Sequence, residues 1–350
     1  METNLEETDS IVGSTDTTRS AEASASAAEA IDRAGASNAD RVEERPRCPA
    51  PANFRAEIEA YDRAARVTQW NGPRYRMTVR TLGEGPPLIW IPGIASTYRG
   101  YAIVLNRLSE RFRTIVYDYP GEHKNDGAQL SKIDHDDLVD DFFGLIDFLN
   151  LGRVFPVGIS FGGTIALEAL AREPRRFPKA ATQGTFARRE LAPAERLALA
   201  VCRHFPGKLA NLPFRERVLR WNHGVEFPTP IADRWPLYIE QNGETPIASL
   251  AHRVDLVSRI DLRPILKNIT VETLMIQGNE DRVNPRKYYD ELIAATPSAR
   301  GLVVPLVGHQ THYTHAELLA RTIDEFFLPC APGGCPNEPK NGDASTDDAS

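Results

Sequence analysis

The sequence predicts an α/β fold: a mostly parallel, doubly wound sheet with an inserted helical cap. Three observations carry that prediction. Apolar runs of strand length, Leu88–Ile91, Thr114–Tyr117 and Val271–Ile276, alternate with longer stretches of helical periodicity. The runs are continuous rather than alternating, as in strands buried on both faces. They also end in residues that a site needs, Pro92-Gly93, Asp118 and, after the strand before it, Gly158–Ser160. In a parallel sheet, ligands sit beyond the carboxyl ends of the strands.

In chain order, residues 1–45 hold eleven acids and four bases and almost no large apolar side chains, a composition that predicts disorder. Phe54, Ile58, Tyr61 and Ala65 recur at helical spacing and predict a leading helix. Arg74–Leu82 alternates like a strand, and Gly83–Pro87 is a turn. After the Leu88 and Thr114 strands, residues 136–149 carry a broad apolar stripe from Leu138 to Leu149 and predict a helix. The strand from Arg153 follows, then a further strand over Ala180–Thr185. Pro156 lies inside the first of these. Proline cannot donate to a ladder, so it is expected among the strand's first paired residues.

From residue 188 to 250 the alternation stops, and an Arg-rich, aromatic helical region is expected as the cap. Eight Lys or Arg stand against three Glu in residues 188–220. This is read as a solvated helix face, with a basic lid for anionic acyl groups as the alternative. Trp221 and Trp235 are expected to be packing residues. The core is thus assigned to residues 46–187 and 251–328. Its later part predicts a helix around Arg286–Ala294, a strand over Leu302–Leu306 and a last helix. A Thr314/Glu317 capping box should open that helix, with Leu319, Ile323, Phe326 and Phe327 buried. Residues 329–350, rich in Pro, Gly, Asn and Asp, are expected to be disordered.

The net charge of −7 belongs to the tails, which contribute −7 and −3 and leave the body near +3. No basic stripe points to nucleic acid. Cys48, Cys202, Cys330 and Cys335 make no metal-ligand pattern with histidine, and no metal is expected. No bilayer-length apolar run is present, and no signal-like apolar segment follows Met1. A soluble, cytoplasmic protein is expected.

Gly158-Ile-Ser-Phe-Gly162 lies between an apolar strand and a helix, with Gly163 as a further close-packing position. A G-x-S-x-G turn in that context exposes the serine oxygen at a helix N-terminus, where N–H groups favour negative charge. A serine hydroxyl is a weak nucleophile that needs a base, and the base needs an orienting acid. Gly278-Asn-Glu-Asp281 and Gly308-His309 each follow a later strand, on the same predicted sheet edge. Asp281 and Glu280 both qualify as the acid, and the Asp-x-Val-x-Pro context favours Asp281. His309 competes with His312, a pocket neighbour, and His315, expected to be solvated at the opening of a helix. Asp118 is read as structural.

From Arg74 to Leu328 the chain resembles the α/β-hydrolase fold family in its capped, esterase-like branch. The resemblance rests on Ile91-Pro-Gly-Ile94, Tyr117–Gly121, Gly158–Gly163, Gly278–Pro285 and Gly308-His309. It implies an eight-stranded sheet with the cap between the sixth and seventh strands. It also implies Ser160 as nucleophile, His309 as general base and acid, and Asp281 as orienting acid. The N–H groups of Phe161 and Ile94 would form the oxyanion hole. Two departures bear on loop shape: Pro92-Gly93 replaces the family's frequent His-Gly, and Gly121-Glu-His-Lys replaces its usual Gly-His-Gly.

The expected activity is hydrolysis of carboxylic esters of small molecules without a cofactor. Thioester hydrolysis, acyl transfer and carbon–carbon bond cleavage on the same three residues stay open, as does a silent ligand-binding scaffold.

Overall fold

The computed structural model describes residues 53–327, apart from 204, 224–226, 228–230 and 232. Both predicted tails lie outside the described residues, as do Cys48, Cys330 and Cys335. Eight strands form the sheet: β1 (Arg66–Asn71), β2 (Arg76–Leu82), β3 (Pro87–Ile91), β4 (Arg113–Tyr117), β5 (Phe155–Ile159), β6 (Ala180–Gln183), β7 (Thr273–Gly278) and β8 (Ala299–Val304). Their spatial order is β1-β2-β4-β3-β5-β6-β7-β8. β2 pairs antiparallel with both its neighbours, and all later pairings are parallel.

Leu88 and Trp90 point to one face of the sheet, Ile89 and Ile91 to the other, and all four are fully buried. The Leu88 face packs under helices α1 (Phe54–Ala64) and α2 (Ala102–Ser109). The Ile89 face packs under α3 (His135–Phe148) and α4 (Phe161–Arg172). Burial on both faces is why these strands read as unbroken apolar runs. Asp134 caps α3 in a reciprocal box with Asp137.

Pro156 sits opposite Ile89 on the β3 side of β5. The β5–β6 ladder begins one residue later, at Val157. The proline therefore stands at the start of the strand, where a missing donor is tolerated.

Between β6 and β7 come α5 (Pro193–Cys202), α6 (Arg215–His223), α7 (Arg234–Glu244), α8 (Ile247–Val257) and α9 (Arg263–Leu266). After β7 come α10 (Arg286–Ala295), α11 (Thr311–Thr314) and α12 (Ala316–Phe327). No helix of the described residues is long and apolar enough to cross a membrane.

Several expectations are corrected. β1 was not legible: its outer face is solvated, so it shows no apolar run, and Trp70 alone stacks on Phe148. α2 also escaped the pattern. β8 ends at Val304, and Leu306 lies in the following turn with φ 59° and 84% exposure. Thr314 closes α11 instead of opening α12, because its hydroxyl donates to the Gln310 carbonyl (3.1 Å). Trp221 is not a packing residue; it is 79% exposed, whereas Trp235 is half-buried and packs against the core.

Candidate active site

Ser160 stands between β5 and α4 with φ 52° and ψ −115°. A non-glycine residue at positive φ costs about 1–3 kcal/mol and persists only where its surroundings hold it. Here the Ser160 N–H donates to the Gln183 carbonyl (2.8 Å), and the Ser160 carbonyl accepts from the Gly163 N–H (2.9 Å) and the Thr185 hydroxyl (2.8 Å). Glycine is required on both sides of the turn. A Cβ on Gly158 would lie 2.6 Å from the Gly162 carbonyl oxygen, and one on Gly162 would collide with the carbonyl oxygens of Ile91 and Pro92. The close approach carries the start of α4 against the end of β3.

His309, in the loop after β8, reaches Ser160 Oγ with Nε2 at 3.1 Å. Its Nδ1 lies 2.7 Å from Asp281 Oδ2. Asp281 follows β7, and its Oδ1 accepts from the N–H groups of Val283 (2.9 Å) and Asn284 (2.8 Å). An ionised carboxylate only accepts, so Nδ1 of His309 carries the hydrogen and Nε2 accepts from the serine hydroxyl. Ser160, His309 and Asp281 are all buried. Three segments far apart in sequence thus form one hydrogen-bonded row. Such a row can remove a proton from the serine oxygen and hold the resulting imidazolium.

The alternatives separate cleanly. Glu280 is exposed and its side chain meets Asn279 (3.3 Å). His315 is half-buried, not solvated. His312 is fully buried against the rings of Tyr101 and Tyr313. Burial, with His309 and His223 nearby, holds its pKa well below the usual histidine range, so the ring stays neutral at pH 7. Asp118 pairs with Arg80 and His123, both at 2.8 Å. Burial pushes the carboxyl up, but these two partners outweigh it and keep the pKa below its ordinary value.

The loop carrying Ile94 is framed at three points. The Tyr119 hydroxyl donates to the Pro92 carbonyl (2.8 Å), the Gly93 N–H donates to the Tyr101 oxygen (2.8 Å), and Arg253 Nε donates to the Ile94 carbonyl (2.7 Å). Arg253 is 1% exposed on α8, pairs with Glu122, and lies over the Tyr119 ring. These residues give the Pro92-Gly93 loop a fixed path without the family's histidine. Sequence reading missed Arg253, since an arginine in an amphipathic helix ordinarily points to water. It also missed His223, which closes α6 and places its ring 6.2 Å from that of His309.

Ile94, Ser160 and Phe161 share the wall of a cavity of about 240 Å³ whose other residues come mainly from α5, α8 and the loops after β6 and β7. Among the described residues, His135, Asp136 and Glu168 are grouped closely enough to share a cation. Both ring nitrogens of His135 are already engaged, by Glu168 (2.7 Å) and Thr164 (2.9 Å), and Arg172 pairs with both acids.

Residues 88–322 match the alpha/beta hydrolase family. The chain is 25% identical over 269 residues to a 2-(acetamidomethylene)succinate hydrolase of Mesorhizobium japonicum, covering 73% of this chain and 92% of the relative. It is 27% identical over 276 residues to a 2-hydroxymuconate semialdehyde hydrolase of Pseudomonas putida, covering 72% and 91%. In fold it is similar to the enol-lactonase of Burkholderia xenovorans LB400, with TM-score 0.65 and 23% identity over 75% of this chain and 100% of that one. With an eight-stranded sheet of this order and a match over residues 88–322, the chain belongs to the α/β hydrolase family of enzymes.

Proposed function

We propose that the protein hydrolyses carboxylic esters through an acyl-enzyme on Ser160, with His309 as general base and acid and Asp281 as the orienting acid. The observation that carries this reading is the row Ser160 Oγ–His309 Nε2 (3.1 Å) and His309 Nδ1–Asp281 Oδ2 (2.7 Å) at the strand ends. Ser160 Oγ attacks the ester carbonyl carbon while Nε2 takes its proton. The tetrahedral intermediate collapses, and the alkoxide leaves with that proton as an alcohol. Water then enters, gives a proton to Nε2 and attacks the acyl carbon. Collapse returns the proton to Ser160 Oγ and releases the acid. The sum is ester plus water to acid plus alcohol, with no cofactor.

The negative oxygen of each intermediate would be held by the N–H groups of Phe161 and Ile94. Phe161 opens α4, so its N–H has no acceptor within the helix. Ile94 sits on the wall beside it. A donor of this kind is worth about 2.7–4 kcal/mol of transition-state stabilisation. Residues 188–250 would act as the cap over this site.

A second reading, cleavage of a carbon–carbon bond by the same three residues, is favoured by the names of relatives such as the 2-hydroxymuconate semialdehyde hydrolase. Labelling with a fluorophosphonate tests the shared nucleophile. The parent protein should be labelled and Ser160→Ala should not. Undiminished labelling of the variant would remove Ser160 from the mechanism. Turnover of aryl esters but not of vinylogous diketones would then select the ester reading.

A further inference from the structure

We infer that the cavity beside Ser160 is an acyl pocket for uncharged aliphatic chains, so that the substrates are esters of apolar monocarboxylic acids. This inference rests on the Ser160 reading above. The cavity reaches Ser160, Phe161 and Ile94, the nucleophile and the two residues of the oxyanion side, whereas His309 is not among its wall residues. A leaving alcohol takes its proton from His309 and must sit within hydrogen-bond reach of that ring. The group that fills the cavity is therefore the acyl part.

Its wall is mostly apolar, with aliphatic side chains beside the rings of Phe161 and Phe186. Leu199 comes from α5, Ala251, Val254 and Val257 from α8, and Leu191 and Val283 from the loops. Its charged side chains are committed to each other and to the backbone. Arg189 pairs with Glu195 (2.6 Å) and also donates to the Val283 carbonyl (3.4 Å). Asn284 donates its amide to the Gly184 carbonyl (2.6 Å) and keeps a buried, unpartnered Oδ1, an acceptor that cannot pair with a carboxylate. A carboxylate at the far end of an acyl chain would meet a guanidinium already neutralised by Glu195. Burying a charge without its own partner is strongly unfavourable, whereas each methylene removed from water is favourable. The basic residues of the 188–220 segment do not make the pocket anionic-selective, because the one on its wall is paired.

The test is kcat/KM for 4-nitrophenyl esters from acetate to heptanoate, beside the adipate monoester, which carries an ω-carboxylate at heptanoate length. Each buried methylene should raise kcat/KM by roughly three- to fourfold, so heptanoate, five methylenes longer than acetate, should exceed it by about tenfold if two of them are buried and by about two hundredfold or more if all five are. The adipate monoester should fall at least about tenfold below heptanoate. Ala198→Trp, which fills the cavity, should flatten the series. Leu197→Ala, on the exposed side of α5, should leave its slope unchanged. A flat parent series, or a preference for the ω-carboxylate, with turnover that still requires Ser160 would overturn the acyl pocket alone. Absence of turnover on every ester together with an unlabelled Ser160 would overturn the hydrolase reading and this inference with it.

Discussion

Helices α4 and α6, of 12 and 9 residues, have opposite surroundings. In α4 the residues from Phe161 to Leu170 are all buried, packed between the sheet and α3. Around α6, Phe214, Val218 and Trp221 are 77%, 58% and 79% exposed, and His223 is the buried residue of the helix. Position in the first helix is dictated by backbone contact: the glycines at its start leave no room for a Cβ. The second is held along one edge by side chains: Arg215 donates to the Ile239 carbonyl (2.8 Å), Leu219 packs against the core, Arg220 lies over Trp235, and His223 stands beside His309. The sheet side of the site is thus fixed by backbone against backbone, and the inserted side by a row of side chains with its outer face left in solvent.

The largest expected effect that would break this contrast is on stability. Gly162→Ala drives a Cβ into the Ile91 and Pro92 carbonyls and should cost about 3 kcal/mol in urea unfolding. A cost below about 1 kcal/mol would mean that α4 can slide away from β3, and that the serine is not rigidly held.

A second test concerns the far end of α4. Burial alone would push the Glu168 carboxyl up, but the bonded His135 ring and the nearby Arg172 hold its pKa at about 2. A folded-state pKa below the unfolded value near 4.5 contributes stability above that pH, and the contribution is lost as pH falls towards 2. Glu168→Gln should therefore be less stable than the parent by about 2–3 kcal/mol at pH 7, with the gap closing as pH falls from 4.5 towards 2. Thermal melts across that window check it, and a gap independent of pH would contradict it.

Arg253 sharpens the comparison, because it ties α8, at the border of the inserted region, to the loop that carries Ile94. Removing its bond to the Ile94 carbonyl in Arg253→Met should lower kcat about tenfold, with KM within about twofold, and Arg253→Lys should recover part of the loss. Equal loss in KM would make it a binding or packing residue instead. The smallest effect belongs to α6: Trp221→Ser should change unfolding free energy by less than about 0.5 kcal/mol, since the ring is 79% exposed.

The same contrast explains what could be read in advance. Ser160, Asp281 and His309 could be singled out because each follows a strand of the parallel part of the sheet, which gathers such strand ends on one edge. Pro156 looked anomalous only until the β5–β6 ladder was seen to begin beyond it, with the proline second in the β3–β5 ladder. Arg253 was illegible because its partners, Ile94 and Glu122, lie more than a hundred residues away. The exposure of Trp221 was equally hidden, since an aromatic side chain in a helix ordinarily signals packing. The cavity could not be anticipated at all, because its wall joins α5 and α8 to loops that meet only in three dimensions.

The most direct measurement is the mass of the enzyme during turnover. Acid quenching in the presence of 4-nitrophenyl hexanoate, followed by digestion, should give a peptide containing Ser160 that is heavier by one hexanoyl group. Ser160→Ala should yield no acylated peptide and no burst of nitrophenol. An acyl group found on another residue, or turnover undiminished in Ser160→Ala, would contradict a serine nucleophile at this strand end.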